Sequence, residues 1–225
     1  MCGRYNLTDS PLVLALLDDL GIHFDIEPRY NIAPTETVPV ILQQDKQIQV
    51  SGMRWWLVPH WSQGPSTKYA MFNARRESLL KSRAYAQPYH SQRGILPATS
   101  FIEWQTGPVG KQPLMIEGVD TPLALAAIWD YWDGPDGNLL SCAIITQPAS
   151  PGFSVIHDRM PHILQPRDYH AWLNPGTAQK ELEAILASVD PLALRATPVS
   201  SRINNSRHKT SDCIQATGEA IDIRD

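Results

Sequence analysis

The first clear pattern along the chain is helical. Four leucines recur at helical spacing between positions 12 and 20, after Asp9-Ser10-Pro11 and before Gly21. Ser10 or Asp9 can cap the helix, Pro11 fits its first turn, and Gly21 suits a left-handed exit. The pattern predicts an amphipathic, core-facing helix that ends at Gly21.

Most of the later pattern is typical of strands. Alternating or continuous apolar runs predict strands at 37–42, 47–51, 53–58, 94–97, 101–105, 113–117, 123–129, 140–146 and 192–199. Because 123–129 and 140–146 are nearly all apolar, we expect them at the centre of a sheet. Helices are predicted at 75–82, 167–173 and 179–188. These elements predict an α+β fold, a single domain over 1–225 built on a mixed, mainly antiparallel, barrel-like β-sheet with peripheral helices. Residues 201–225 are predicted to be a polar C-terminal tail.

Composition limits the class of protein and the cellular compartment that we expect. Of 225 residues, 43% are hydrophobic, which suits one substantial domain. No apolar run reaches the roughly 20 residues of a membrane span, and no secretory signal is evident, so we expect a cytoplasmic protein without a membrane partner. Cys2, Cys142 and Cys213 show neither CxxC nor Cys/His spacing. They indicate no disulfide framework and no zinc site, and Cys142 is expected in the core.

Charge is distributed unevenly. The net charge of −4 argues against a generic nucleic-acid binder. Between positions 54 and 93, however, seven Lys and Arg residues accompany a single acid, Glu77. A localised basic face on an acidic protein is therefore predicted.

Cys2 would have unusual reactivity as the first residue of the chain. If Met1 is removed, as is usual before a small residue, Cys2 carries an α-amine and a thiol on adjacent carbons, with reference pKa values of about 7.7–8.0 and 8.5. Such an aminothiol can attack an aldehyde twice, first forming an imine and then a thiazolidine ring. The alternative is an ordinary residue at a frayed chain end. The tetrapeptide Met-Cys-Gly-Arg by itself leaves both interpretations open.

Three further residues are candidates for chemistry. Glu103 interrupts an apolar strand, where burial raises a carboxyl pKa and favours general acid catalysis, unless it faces water. His157 can move protons near pH 7, with Asp158 beside it, although a lone histidine is more often structural. Asn73 can hydrogen-bond a reacting group or simply cap a helix.

Aromatic and basic residues are interleaved in the same part of the chain. Stacking of bases on aromatic rings, combined with a cationic groove, holds single-stranded nucleic acid at about 1–3 kcal/mol per base. Burial of some of these rings in the core is the alternative. The set comprises Trp55, Trp56, Trp61, Lys68, Arg75, Arg83 and Trp104.

Seven segments together resemble one family, the SOS response-associated peptidase (SRAP) family of abasic-site processing proteins. They occur in family order and span nearly the whole chain. The segments are MCGRY at 1–5, RYNIAP at 29–34, WLVPHW at 56–61, NARRE at 73–77, FIEW at 101–104, IHDRMP at 156–161 and VSSRINN at 199–205.

The resemblance implies a fold and a function. The family fold is a β-rich α+β domain, and the family needs no metal or organic cofactor. Processed Cys2 would condense with the ring-opened aldehyde of an abasic site in single-stranded DNA, including sites at single/double-strand junctions. A thiazolidine crosslink would form, with strand scission, crosslink reversal and self-release of Met1 as associated activities. A monomer, nucleoid-associated when bound to DNA, is expected.

The resemblance also implies residue roles. Asn73 would position the N-terminus and sugar, Glu103 would act as an acid, and His157 would move protons around the Cys2 nucleophile. The DNA-binding residues implied are Arg4, Pro34, Trp61, Arg75, Arg83 and Trp104, with Pro34 at a loop that wedges the DNA path. The chain departs from the family pattern at Trp56, Ser100 and Ile102, where glycine, glycine and an aromatic residue are usual.

Two other functions stay open. An N-terminal-cysteine amidohydrolase of the glutaminase type also begins Met-Cys-Gly and uses the freed amine as a base. Arg4 and the lack of its later glycine-rich motifs argue against that enzyme. The second alternative is a reader that binds single-stranded or modified DNA without bonding to it.

Overall fold

The computed structural model describes residues 2–108, 110–135, 137–188 and 190–224. Within them the helices are α1 (Pro11–Asp19), α2 (Ala86–Ser91), α3 (Tyr169–Leu173) and α4 (Gln179–Ala187). The strands are β1 (Tyr5–Leu7), β2 (Arg29–Ile32), β3 (Thr37–Gln44), β4 (Gln47–Trp55), β5 (Asn73–Arg75), β6 (Arg93–Ala98), β7 (Ser100–Gly107), β8 (Gly110–Gly118), β9 (Leu123–Gly134), β10 (Gly137–Pro148), β11 (Arg159–Pro161), β12 (Leu194–Pro198) and β13 (Ile221–Ile223).

Five strands close into a barrel. Strand β10 pairs with β4, β4 with β3, β3 with β6, β6 with β9, and β9 returns to β10. Only the β10–β4 pairing in this ring is parallel. The prediction of a mixed, mainly antiparallel, barrel-like sheet is therefore confirmed.

Strand β9 is buried on both faces. Leu125 and Ala127 join the cluster that fills one side of the sheet. Ala126 and Ile128, which point the opposite way, pack in a second cluster with side chains of the helices. This two-sided burial explains why the strand is continuously apolar. Cys142 of β10 is fully buried in the first cluster, as predicted for a core residue.

A second sheet lies against the barrel, with the strand order β13-β12-β8-β7-β1-β2. Tyr5, Phe101 and Ile116 from this sheet share an apolar cluster with Trp55 and Leu125 of the barrel. Pairing of Tyr5 with Phe101 sets β1 beside β7. The N-terminal residues therefore lie next to the strand that carries Glu103.

The local predictions hold for α1 but need correction elsewhere. Ser10 Oγ accepts a hydrogen bond from the Val13 amide, and Gly21 has φ +65°, as predicted. The strands predicted at 47–51 and 53–58 merge into one strand, β4, because Gly52 continues the ladder opposite Pro39, and this strand ends at Trp55. No helix covers 75–82. The segment enters from β5 into a 3₁₀ turn over Arg76–Ser78, since parallel pairing of β5 with β10 overrides the local helical pattern.

The C-terminal residues, predicted to be a polar tail, fold onto the second sheet. We call residues 201–224 the C-terminal strap. It contains 3₁₀ turns at Ser201–Asn204 and Ser211–Ile214, and strand β13. Ile203 and Cys213 are fully buried, and Asn31 Nδ2 donates to the carbonyl oxygens of Asn205 and His208. Three buried apolar residues, scattered through a polar stretch, are too weak a signal to predict this docking.

Candidate active site

Four predicted residues from separate segments contribute to one region. Asn73 is the first residue of β5, Glu103 lies in β7, and His157 precedes β11. Asn73 Nδ2 donates a 2.8 Å hydrogen bond to the carbonyl oxygen of Cys2. This bond joins residues 71 positions apart and holds the start of the chain against the barrel. Met1, whose removal the sequence analysis expects, lies outside the described residues.

The Cys2 thiol is fully buried. Its Sγ makes a long contact of 3.8 Å with the Arg4 carbonyl oxygen. Burial raises the pKa of the Cys2 thiol well above its ordinary value, and the negative charge of Glu103 raises that pKa further. The sulfur is therefore held as a neutral thiol, and Glu103 is close enough to influence its pKa.

Glu103 is a buried carboxyl, with 1% of its surface exposed. Burial raises the pKa of Glu103 above the ordinary value of a glutamate. The desolvation that the apolar neighbours predict is present. A carboxyl of this kind keeps its proton to higher pH than an exposed glutamate and can donate it to a developing leaving group.

The His157 ring is held through its Nδ1 atom. The backbone N–H of Arg159 donates to Nδ1 at 2.9 Å, and the exposed Asp158 carboxylate lies 2.8 Å from the same nitrogen. His157 and Glu103 line one surface cavity of about 480 Å³. The remaining residues that line it are Trp104, Lys111 and Asn204.

Sequence reasoning gave no role to Lys111 and Asn204. Lys111 reaches the cavity because β8 pairs with β7, with Lys111 opposite Thr106. Asn204 belongs to the strap and accepts a 2.7 Å hydrogen bond from Trp104 Nε1. Asn204 belongs to the family-like segment at 199–205, so the sequence contained a signal for it. The position of Lys111 follows only from the strand register.

The predicted DNA-binding residues are more exposed than the buried residues of this centre. Arg4 is half-buried, and its Nη1 donates to the Gly3 carbonyl oxygen at 2.7 Å. Burial lowers the pKa of Arg4. Arg75 is exposed at the end of β5. Pro34 is half-buried in a tight turn after β2, where Thr35 has φ +80°. None of these positions requires the side chain to be packed in the core.

The tryptophans divide into core and surface. Trp55 is fully buried, and its Nε1 donates to the Phe72 carbonyl oxygen, so it belongs to the core rather than to a stacking surface. Trp56 packs against Phe72 at a ring-centroid distance of 5.3 Å. Trp61 is 43% exposed, and the Arg83 guanidinium lies 4.2 Å from its ring centroid. Trp61 and Arg83 therefore form an exposed aromatic–cation pair.

The described part of the chain was compared with the requirements of a metal site and of a membrane span. Within it, no group of His, Cys, Asp and Glu side chains could hold a metal ion. None of the helices described there is long and apolar enough to cross a membrane.

Comparison with known proteins identifies the family and the fold. The family model for SOS response associated peptidase (SRAP) matches residues 1–206. Abasic site processing protein YoqW of Bacillus subtilis is 32% identical, over 96% of this chain and 100% of that protein. Abasic site processing protein YedK of Escherichia coli is 30% identical, over 96% and 99%. A crystal structure of a protein from Bacteroides thetaiotaomicron has the same fold, with a TM-score of 0.77, 22% identity, and coverage of 95% and 99%. The chain belongs to the SOS response associated peptidase (SRAP) family.

Proposed function

We propose that this protein processes abasic sites in single-stranded DNA by forming a covalent crosslink through Cys2. The names of its relatives support abasic-site processing. The observation that carries the proposal is the hydrogen bond from Asn73 Nδ2 to the Cys2 carbonyl oxygen. It fixes the one residue that can supply both an amine and a thiol beside the buried acid Glu103.

The first bond forms at the amine. After loss of Met1, the α-amine of Cys2 attacks the aldehyde carbon of the ring-opened abasic site and gives a carbinolamine. Glu103 donates a proton to the leaving oxygen, water departs, and an imine remains. Because burial keeps the Cys2 thiol protonated, the amine is the first nucleophile.

The second bond forms at sulfur. The thiol adds to the imine carbon, its proton is taken up by a neighbouring base, and the imine nitrogen gains a proton. His157, which lines the same cavity as Glu103, would relay these protons. The product is a thiazolidine, with one water lost overall. Proton transfer by His157 at the imine stage would instead allow strand scission, and reversal would follow the same steps backwards.

The surrounding surface suits a single strand. Arg4, Arg75 and Arg83 would contact phosphates, and Trp61 and Trp104 would contact bases or sugars. Pro34 would direct the path of the strand, with binding extended to a neighbouring duplex. Because phosphate contacts release counterions, affinity should fall steeply with salt. We expect the protein to act as a monomer.

The test uses DNA with one abasic site. Wild type, Cys2→Ala and the core-thiol control Cys142→Ala are mixed with the DNA and analysed by denaturing gel and intact mass. We expect a heat-stable adduct from wild type and Cys142→Ala, with Met1 absent and a mass one water below the sum of the components. Cys2→Ala should give none.

Other results would contradict the proposal. Binding without an adduct, unchanged in Cys2→Ala, would favour a non-covalent reader. Ammonia release from glutamine without an adduct would favour an amidohydrolase.

A further inference from the structure

An ion pair joins the segments that hold Asn73 and His157. Arg159 Nη1 and Nη2 donate to the two carboxylate oxygens of Glu77 at 2.7 and 3.0 Å. Nη2 also donates to the Thr146 carbonyl oxygen at 2.7 Å. The Arg159 side chain is largely buried, at 13% exposed, while that of Glu77 is 47% exposed. A bidentate pair with a third contact fixes geometry more firmly than a single surface ion pair.

The ion pair spans the two strands that flank the end of β10. Thr146 of β10 is paired with Arg75 of β5 on one side and with Pro161 of β11 on the other. Glu77 follows β5, and Arg159 begins β11. The pair therefore connects the element that begins with Asn73 to the element that follows His157.

The same residue that makes the ion pair also holds the imidazole. The Arg159 backbone N–H can only donate, so its 2.9 Å bond requires a lone pair on His157 Nδ1. In the neutral ring the proton then resides on Nε2. Asp158 Oδ1, 2.8 Å from Nδ1, favours the opposite tautomer, but that side chain is 85% exposed and strongly solvated.

We propose that the Glu77–Arg159 pair is a positioning device that holds the residue-159 peptide N–H against His157 Nδ1 and keeps the neutral imidazole protonated on Nε2. The pair thereby sets which nitrogen carries the proton in the cavity shared with Glu103. The catalytic consequence rests on the proposed function. The tautomer itself is a property of the protein without DNA.

The first test therefore uses no DNA. Long-range ¹H–¹⁵N correlation spectra of histidine-labelled protein are recorded well above the reference imidazole pKa of about 6.5, and His157→Gln assigns the signals. In wild type we expect Nδ1 to resonate as an unprotonated nitrogen and Nε2 as a protonated one. Glu77→Gln should move both towards a tautomer average, whereas Asp158→Asn, an isosteric change at the competing group, should leave them in place. Unchanged nitrogens in Glu77→Gln, or a larger shift in Asp158→Asn, would overturn the proposal.

The second test measures the reaction. Glu77→Gln should slow adduct formation about tenfold, part of the 10²–10⁴-fold that a positioned acid–base group supplies. The loss should appear at saturating DNA, because Glu77 is not required for binding. Arg159→Lys, which keeps the charge but loses the two-pronged geometry, should slow the step similarly. The double variant should be no slower than either single one. Equal rates for wild type and Glu77→Gln, or fully additive losses, would argue against a shared role.

Two controls separate the possible failures. Thermal melting establishes that each variant is folded, and Glu77→Asp replaces Glu77→Gln if the latter loses its native transition. If wild type shows the expected tautomer but gives no adduct, the proposed function fails while the positioning role stands. If wild type gives an adduct and Glu77→Gln matches it in both spectrum and rate, only the positioning role fails.

Discussion

The proposed reaction centre and the exposed Trp61–Arg83 pair are built on opposite principles. Cys2 and Glu103 have almost no exposed surface, and Asn73 has 9%. Trp61 is 43% exposed, and the Arg83 guanidinium lies over its ring. In the centre, strand pairing and hydrogen bonds such as that from Asn73 to Cys2 fix the polar groups. The contact that holds the surface pair is the stacking of Arg83 on Trp61.

This contrast predicts different sensitivities. In a buried centre, one changed group leaves a partner desolvated or misplaced, so single substitutions should have large effects on rate. On an exposed surface, contacts are numerous, screened and individually weak. Substitutions there should each have modest, salt-dependent effects on affinity.

The largest expected effect is at Glu103. Glu103→Gln keeps the shape but cannot donate the proton, so adduct formation should slow by about 10²–10³-fold, within the usual range for general acid catalysis. Glu117→Gln is the matched control, because Glu117 is a partly buried β8 carboxyl that faces Ser100 rather than the reaction centre. Single-turnover kinetics at saturating DNA measure both. A Glu103→Gln rate within threefold of wild type would mean that the acid lies elsewhere.

A smaller effect is expected at the surface. Arg83→Gln should weaken binding of undamaged single-stranded DNA about three- to tenfold at low salt, and the difference should shrink as salt rises. Lys180→Gln, at an exposed position on α4, is the control and should bind like wild type. Fluorescence anisotropy titrations at several salt concentrations provide the measurement. A loss that is independent of salt would point to a structural role for Arg83.

Glu103→Gln should slow adduct formation but raise the stability of the folded protein at neutral pH. Burial raises the folded-state pKa of Glu103, so the native protein binds this proton more tightly than the unfolded chain does. The contribution of Glu103 to stability therefore falls as pH rises from its unfolded-state pKa, about 4.3, through its higher folded-state pKa. Glu103→Gln avoids that loss, and its melting temperature should exceed that of wild type at pH 7. The difference between the two melting temperatures should disappear near pH 4. A difference that grows on acidification would mean that the pKa of Glu103 is lowered by folding.

The smallest expected effect concerns the C-terminal strap. Lys209 Nζ donates to the Asn31 carbonyl oxygen at 2.8 Å and pairs with Glu36, across the turn that carries Pro34. Lys209→Met should lower the free energy of unfolding by about 0.5–1 kcal/mol, as is typical of an exposed charged contact. Lys180→Met serves as the control, and urea unfolding measures both. A loss of several kcal/mol would mean that the strap is an integral part of the core.

Some of the fold follows directly from local sequence. The capped leucine pattern determined α1, and continuous apolar runs determined that β9 and β10 are buried on both faces. The position of Cys2 and its motif context indicated the family. These signals are readable because caps, periodicity and hydrophobicity act over a few neighbouring residues.

Other features depend on contacts between distant residues. The bond from Asn73 to Cys2, the access of Lys111 to the cavity, and the docking of the strap on Asn31 arise from strand pairing and register. Local pattern also could not separate the core residue Trp55 from the exposed Trp61. Local patterns thus specify most of the elements and the chemistry that is available. Which groups meet is set by strand pairing, because pairing brings together side chains that no local preference relates.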